Sequence, residues 1–341
     1  MIIMKFFIKR QVRESMTRLA IWIAGVVFLV GCASNQKIDP AISSDFNYTY
    51  KSFFLADNES ISYVEDGKGD DMVFLHGIPS SSYLWRNVMT QLAPYAHTVA
   101  MDLPGYGHSS VPANNDYSYQ ALYERTEKFL LQFDRPITLV VNDLGSLLGL
   151  DYATRHPNRI KGIVLIEAAF MPSEQWYKQL LNKQKLMFWM LRNETIAKWM
   201  IVDKPLVQSM ALNMGIVRSL SEQEKDTYMQ VYSDVEKRKV LLLGPGPASI
   251  PKGMVKQSNM DMAATMNRIA KGLIHTQPQM LLLYADPGFI VQQEALDYAK
   301  TNFENVSLKH IGNGLHFLPE DQPTNISKAI INWYETLAKT L

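Results

Sequence analysis

Cysteine is almost absent from this chain of 341 residues: Cys32 is its single thiol. With no partner for it, no intramolecular disulfide holds the fold together. An excess of either charge is missing too. The 34 Lys and Arg residues against 33 Asp and Glu leave a net +1, with no run of like charges, so the bulk electrostatic case for a nucleic-acid partner falls away. There is no repeat and no low-complexity tract. The apolar run Leu19–Gly31 has only 13 residues, too few to span a bilayer comfortably. His97, His108, His156, His275 and His310 show no metal spacing such as HExxH. Gly105-Tyr106-Gly107 lacks the third glycine of a dinucleotide fingerprint and a helix start behind it. Neither a metal nor an organic cofactor is therefore expected.

What is present begins with the leader. Lys5, Lys9, Arg10, Arg13 and Arg18 precede the apolar run, which fits the h-region of a secretory signal. The run closes Leu29-Val30-Gly31-Cys32. Small residues before a lone Cys, directly after an h-region, resemble the lipobox of a bacterial lipoprotein. That resemblance implies that Cys32 is lipidated and becomes the new N-terminus. Met16 is an alternative start, since residues 16–32 make a complete signal of this kind. With Ala33 rather than Asp after the Cys, the expectation is an exported domain anchored to a membrane, the outer one if the cell has two. The opposing reading is an uncleaved signal anchor with an incidental Cys32. Removing residues 1–31 takes away five basic residues and Glu14, so the mature charge is +1 − (5 − 1) = −3. Residues 32–48 read as a polar tether.

Apolar content of 47% supports a sizeable core. Lys51–Ala56 and Ser60–Glu65 read as a hairpin. Short apolar strands are predicted at Met72–Leu75, Thr98–Met101, Ile137–Val141 and Ile160–Ile166, with helices at Tyr119–Phe133 and Leu144–Ala153 between them. Such alternation means a parallel sheet covered on both faces. From about Ala168 to Gly272 the chain reads mostly helical, rich in Met, Leu, Trp and Tyr, with a break at Gly244-Pro245-Gly246-Pro247. The alternation resumes with a strand at Met280–Tyr284, a helix at Gln292–Lys300, a strand at Val306–His310 and a helix at Ile326–Leu337. The predicted architecture is a core in two parts, 49–167 and 273–341, with a helical cap, 168–272, over the carboxyl ends of the strands, where pockets of such sheets lie.

The chemistry concentrates at those strand ends. Leu139-Val140-Val141-Asn142-Asp143-Leu144-Gly145-Ser146 has the strand–sharp turn–helix layout of a nucleophile elbow. The usual elbow carries Ser; here it is Asp143. A carboxylate suits attack on a saturated carbon, giving an alkyl ester that water must hydrolyse. The alternative is that Asp-Leu-Gly forms an ordinary helix cap or turn. Glu167 ends the next strand and His316 follows the last. Nucleophile, acid, His is the chain order of the α/β-hydrolase fold. In this arrangement a neutral His316 takes a proton from water and Glu167 fixes its tautomer. The backbone N–H groups of Ile78 and Leu144 form the oxyanion hole. Asp286, also at a strand end, is the competing acid.

Several segments then resemble the haloalkane dehalogenases. They are Phe74–Asn87, Gly162–Glu167, Gly312–Asp321 and, in the cap, Met214-Gly215-Ile216-Val217-Arg218 with Ser221-Glu222-Gln223-Glu224. The likeness covers roughly residues 50–338 and implies the subgroup whose acid follows the strand after the elbow. It also exposes departures. The family's elbow typically reads His-Asp-Trp-Gly and its first loop His-Gly-Asn-Pro, and the Trp indole and Asn amide hold the departing halide. Here Leu144 and Ile78 occupy those positions, and neither side chain donates a hydrogen bond. Asn142 stands in place of the His. Cap residues Trp176, Trp189, Trp199 and Asn182 are candidate replacement donors, and Tyr177, Tyr228 and Tyr232 are candidates to protonate an oxygen leaving group. The expected function is a hydrolase acting through Asp143 on a small apolar electrophile. The alternatives are an epoxide hydrolase and a ligand-binding protein without turnover.

Overall fold

The computed structural model of the protein describes residues 42–55, 58–243 and 262–340. The leader and Cys32 lie outside these residues, as do Asp57 of the expected hairpin and the Gly244–Pro247 break. No helix among the described residues is long and apolar enough to cross a membrane.

Among the described residues, eight strands make one sheet: β1 (Lys51–Phe54), β2 (Ser60–Asp66), β3 (Asp71–Leu75), β4 (His97–Met101), β5 (Ile137–Asn142), β6 (Ile160–Ala168), β7 (Met280–Pro287) and β8 (Val306–Gly314). Their spatial order is β1-β2-β4-β3-β5-β6-β7-β8. β2 runs antiparallel to both its neighbours, and β3 to β8 are parallel throughout. Every residue of β5 is buried, which is why these strands read as unbroken apolar runs rather than alternating ones. The pleat still sorts them. Val73, Leu75, Leu139 and Val141 enter one hydrophobic cluster, while Met72, Phe74 and Val140 enter the other on the opposite face. This is the expected α/β-hydrolase fold, a mostly parallel sheet flanked by helices.

Helices follow the strands at Tyr119–Leu130, Asp143–Arg155, Gln293–Asn302 and Pro323–Thr340. Ser118 starts the first of them, its hydroxyl accepting the Ala121 N–H at 3.2 Å. The helix Arg86–Leu92 is not visible in the periodicity, because its buried face includes Arg86 and Asn87 beside Val88, Met89 and Leu92.

Between β6 and β7 lies the helical insertion, with helices at Ser173–Gln179, Asn182–Leu191, Glu194–Lys198, Leu206–Gly215, Glu222–Gln230 and Val235–Leu243. Ser221 and Glu224 form a capping box at the fifth: Ser221 Oγ accepts the Glu224 N–H at 3.2 Å and Glu224 Oε2 accepts the Ser221 N–H at 2.7 Å. The sequence carries the cap to Gly272, but the helix Met262–Thr276 packs against the core helix Asp143–Arg155. The approach is close at Gly272, where an added Cβ would lie 2.7 Å from Thr154 Cβ. That helix also packs against the insertion helix Ser173–Gln179, so it bridges cap and core.

The tether reading also changes, from Ser43 onward. Arg86 Nε donates to the Ser43 carbonyl at 2.7 Å, the Ser43 N–H donates to Asn87 Oδ1 at 2.9 Å, and Tyr83 Oη donates to the Ser44 carbonyl at 2.9 Å. Phe46 packs against Tyr48, Tyr50 and Tyr83. These aromatic rings give the segment an apolar surface to bury, which a solvated linker lacks.

Candidate active site

The elbow is built by close backbone approach. β5 stays extended to Asn142, then Asp143 turns to φ +46° and the helix begins. A non-glycine residue there is strained by roughly 1–3 kcal/mol, so the surroundings must hold it. Ser146 Oγ does so from within the helix, donating to the Asp143 carbonyl at 2.5 Å and accepting the Ala169 N–H at 2.9 Å. Asn142 Nδ2 donates to the Ile166 carbonyl at 3.1 Å, tying the elbow to the end of β6. Two glycines are required by space alone. A Cβ on Gly77 would sit 2.3 Å from Asp143 Cβ, and one on Gly145 would sit 2.3 Å from the Leu75 carbonyl oxygen. The result points the Asp143 carboxylate at the first loop, where the Ile78 N–H donates to Oδ1 at 3.0 Å.

His316 faces the other carboxylate oxygen, with Nε2 3.7 Å from Asp143 Oδ2. Its Nδ1 is 3.6 Å from Glu167 Oε2. Both separations exceed a formed hydrogen bond; the three groups are aligned but not closed on one another. Burial alone pushes the imidazole toward its neutral form, but Glu167 and Asp143 outweigh it, and the His316 pKa is raised. The backbone N–H of His316 donates to the Gly215 carbonyl at 2.9 Å, so the helical insertion fixes the imidazole's turn.

Glu167 is fully buried at φ +45°. Its carboxylate is cradled by the loop after β7, accepting backbone N–H groups of Phe289 at 3.1 Å, Ile290 at 2.5 Å and Val291 at 3.4 Å. Such a row of amides stabilises an anion without a cation nearby. The competing acid, Asp286, is turned away: its side chain is 84% exposed and pairs with His310 at 2.9 Å.

The first loop is pinned from below. His76 Nε2 accepts the Leu103 N–H at 2.9 Å, which leaves Nδ1 to donate to the Gly77 carbonyl at 2.7 Å. Burial lowers its pKa, so His76 is a neutral brace. The buried Asp102 accepts the N–H groups of Ser82 at 2.6 Å and His108 at 2.7 Å, joining the loops after β3 and β4.

Ile78 and Leu144 are buried in one apolar cluster, and their side chains offer no polar contact to a departing anion. Of the candidate donors, Trp189 and Asn182 face solvent, and Tyr228 Oη is committed to Glu320 Oε1. Trp176 Nε1 and Tyr232 Oη are buried with no hydrogen-bond partner. A third such group, Tyr106 Oη, was not among the sequence candidates. Burial and the nearby Asp143 charge raise its pKa, so the phenol stays protonated. Its only sequence signal is a Tyr between the two glycines of the loop after β4, which composition alone does not distinguish from packing.

A buried charge cluster joins this site to its supports. Arg86 donates to Glu320 Oε1 at 2.6 Å and Glu224 Oε1 at 2.8 Å, and Arg218 reaches Glu224 and Glu320 at 2.5 Å each. Asp321 Oδ1 accepts the N–H groups of Val217 at 2.9 Å and Arg218 at 3.0 Å. First loop, insertion and the turn carrying His316 are thus locked together.

The same architecture recurs in known proteins. Residues 72–323 match the alpha/beta hydrolase fold family. A haloalkane dehalogenase of Mesorhizobium japonicum is 31% identical over 281 residues, 81% of this chain and 88% of that protein. One of Sphingobium indicum is 30% identical over 288 residues, 82% of this chain and 93% of the relative. Among solved structures, the haloalkane dehalogenase DbeA of Bradyrhizobium elkani superposes with a TM-score of 0.78 at 26% identity, covering 86% of this chain and all of that one. The dehalogenase DatA of Agrobacterium tumefaciens gives 0.76 at 26% identity, over 85% of this chain and 97% of its own.

Proposed function

The chain belongs to the alpha/beta hydrolase family, as a haloalkane dehalogenase-like enzyme, and on that premise we propose that it hydrolyses small apolar electrophiles at an sp3 carbon through an ester of Asp143. The observation that carries this reading is the Asp143 carboxylate on its strained elbow, with the Ile78 N–H on Oδ1 at 3.0 Å and His316 Nε2 3.7 Å from Oδ2.

In the first step Asp143 attacks the carbon, a C–O bond forms, and the bond to the leaving group breaks with its electron pair. In the second, His316 removes a proton from water and the hydroxide attacks the ester carbonyl carbon. The oxyanion is held by the N–H groups of Ile78 and Leu144. Collapse releases the alcohol and returns the carboxylate with one oxygen from water. Glu167, held in its cradle of amides, stabilises the imidazolium. The sequence features of the leader support an exported enzyme anchored to a bacterial membrane through lipid on Cys32.

Epoxide hydrolysis is the second reading. It is favoured by the buried, unpartnered hydroxyls of Tyr106 and Tyr232, since an opening oxygen needs a proton where a halide does not. The test sets bromo- and iodoalkanes against epoxides, with Asp143→Ala as control. Asp143-dependent halide release supports dehalogenation, and diol without halide supports the second reading. Apolar ligand binding with no turnover of either class would overturn both.

A further inference from the structure

The helix Asn182–Leu191 is apolar on two faces. On its inner face Phe188 and Leu191 are buried. Its outer face carries Leu186 and Trp189, 52% and 63% exposed, and Leu181, just before the helix, is 46% exposed. Leu186 and Trp189 share that face at the i, i+3 spacing of a helix, and the half-buried Lys185, one turn before Trp189, donates from Nζ to the Lys178 carbonyl at 3.1 Å. Other exposed large apolar residues, such as Phe54, Tyr95 and Leu131, belong to separate elements, and single ones need no explanation.

Charge gathers around the same helix. Residues 174–204 hold Lys178, Lys183, Lys185, Arg192, Lys198 and Lys204 against Glu174, Glu194 and Asp203, a net of 6 − 3 = +3. Residues 32–341 as a whole sum to −3, so the rest of that span carries −3 − 3 = −6. Two of the lysines are paired, Lys178 with Glu174 at 3.1 Å and Lys198 with Asp203 at 2.7 Å, and both acids are already counted. A segment of net positive charge that carries an exposed Trp and Leu, in a span that is otherwise anionic, is complementary to an anionic bilayer surface and not to a second copy of the same segment. Trp favours the headgroup level, and Lys is drawn to anionic lipid.

We propose that the helix Asn182–Leu191 docks the protein on a surface of anionic lipid. Docking lies next to the chemistry. Gln179 Nε2 donates to the Ile290 carbonyl at 2.8 Å and Gln184 Nε2 to the Phe289 carbonyl at 3.0 Å, and these two residues supply N–H groups to Glu167. A docked insertion also meets apolar substrates where they concentrate. The proposal does not depend on the reaction assigned above, nor on the Cys32 anchor, and is tested without either.

The test uses the compact unit Asp39–Leu341, since solved relatives match nearly their whole length to 85–86% of this chain. It is co-sedimented with vesicles of phosphatidylcholine alone or mixed with phosphatidylglycerol. The expected result is binding to the anionic vesicles, weakening with added salt, and a blue shift of tryptophan emission. Leu186→Glu with Trp189→Glu weakens binding at least about tenfold, while the circular dichroism spectrum and Tm stay unchanged because both side chains are exposed. Trp189→Phe keeps binding and loses most of the blue shift. Lack of binding to anionic vesicles overturns the proposal, as does wild-type binding by the double variant. Loss of a dimer in the double variant without any lipid also overturns it, and assigns the face to self-association.

Discussion

The backbone N–H of Ile290 meets Glu167 Oε2 at 2.5 Å, so the acid at the end of β6 is held by the loop that follows β7. Asp286 stands at the end of β7, just before that loop, and faces solvent. The two acids therefore make opposite predictions. Glu167→Gln removes the charge beside the imidazole and places an amide against a row of donors, so turnover falls on the order of 10³-fold. Asp286→Asn leaves turnover within about twofold, as expected of an exposed residue. Steady-state rates of the two variants decide between them, and the reverse ranking would reassign the acid.

The pH profile carries the same assignment. In the proposed mechanism His316 works as a neutral base, so the rate is expected to fall as pH drops through its pKa. Its raised value puts that acid limb above the ordinary histidine midpoint of about 6.5. In Glu167→Gln burial dominates and the limb moves to lower pH, although the rate is reduced at every pH. A limb that stays in place would mean that Glu167 does not set the imidazole's charge.

Ile78 and Leu144, which the proposed mechanism sets beside the leaving group, lie in one apolar cluster. Ile78→Asn supplies a donor while keeping the backbone N–H that meets Asp143 Oδ1. A preorganised donor at a developing anion is worth roughly 10²–10³ in rate. Halide release from bromoalkanes is expected to rise at least about tenfold, with epoxide turnover unchanged. An equal change on both substrates would place the new amide away from the leaving group.

Arg86 tests the buried cluster. Its guanidinium serves Glu320, Glu224 and the Ser43 carbonyl, so Arg86→Met leaves two buried carboxylates to Arg218 alone and costs about 3–5 kcal/mol, read by denaturant unfolding. The cluster also predicts acid sensitivity. Burial opposes ionisation of Glu224, but hydrogen bonds from Arg218 and Ser221 hold its pKa down at about 2. A depressed acid contributes stability above its unfolded pKa and loses it as pH falls toward the folded one. Wild-type stability should therefore drop between about pH 4.5 and 2, and Glu224→Gln should flatten that part of the curve.

How much of this was legible beforehand depended on range. Asp143, Glu167 and His316 stand at strand ends, and the alternation of apolar runs and helices locates strand ends well. The sheet followed from the same signal. What escaped was set by contacts across the fold. Ser146 looks like any helical serine until it is seen accepting from Ala169. Asn142 gains its meaning only from the Ile166 carbonyl beside it. The helix Arg86–Leu92 hid because its buried face carries an arginine and an asparagine whose partners lie far along the chain. Ser43 to Tyr48 looked solvated because polarity outweighed the two rings that anchor it.

The most direct test of the central claim is to stop the reaction halfway. His316→Gln removes the proposed water-activating base but leaves Asp143 and the Ile78 N–H in place. Incubated with an iodoalkane, or an epoxide if that class is turned over, this variant should accumulate an ester. Peptide mass spectrometry should then find the added alkyl mass on Asp143 alone. An unmodified Asp143, or turnover that continues without His316, would contradict the account.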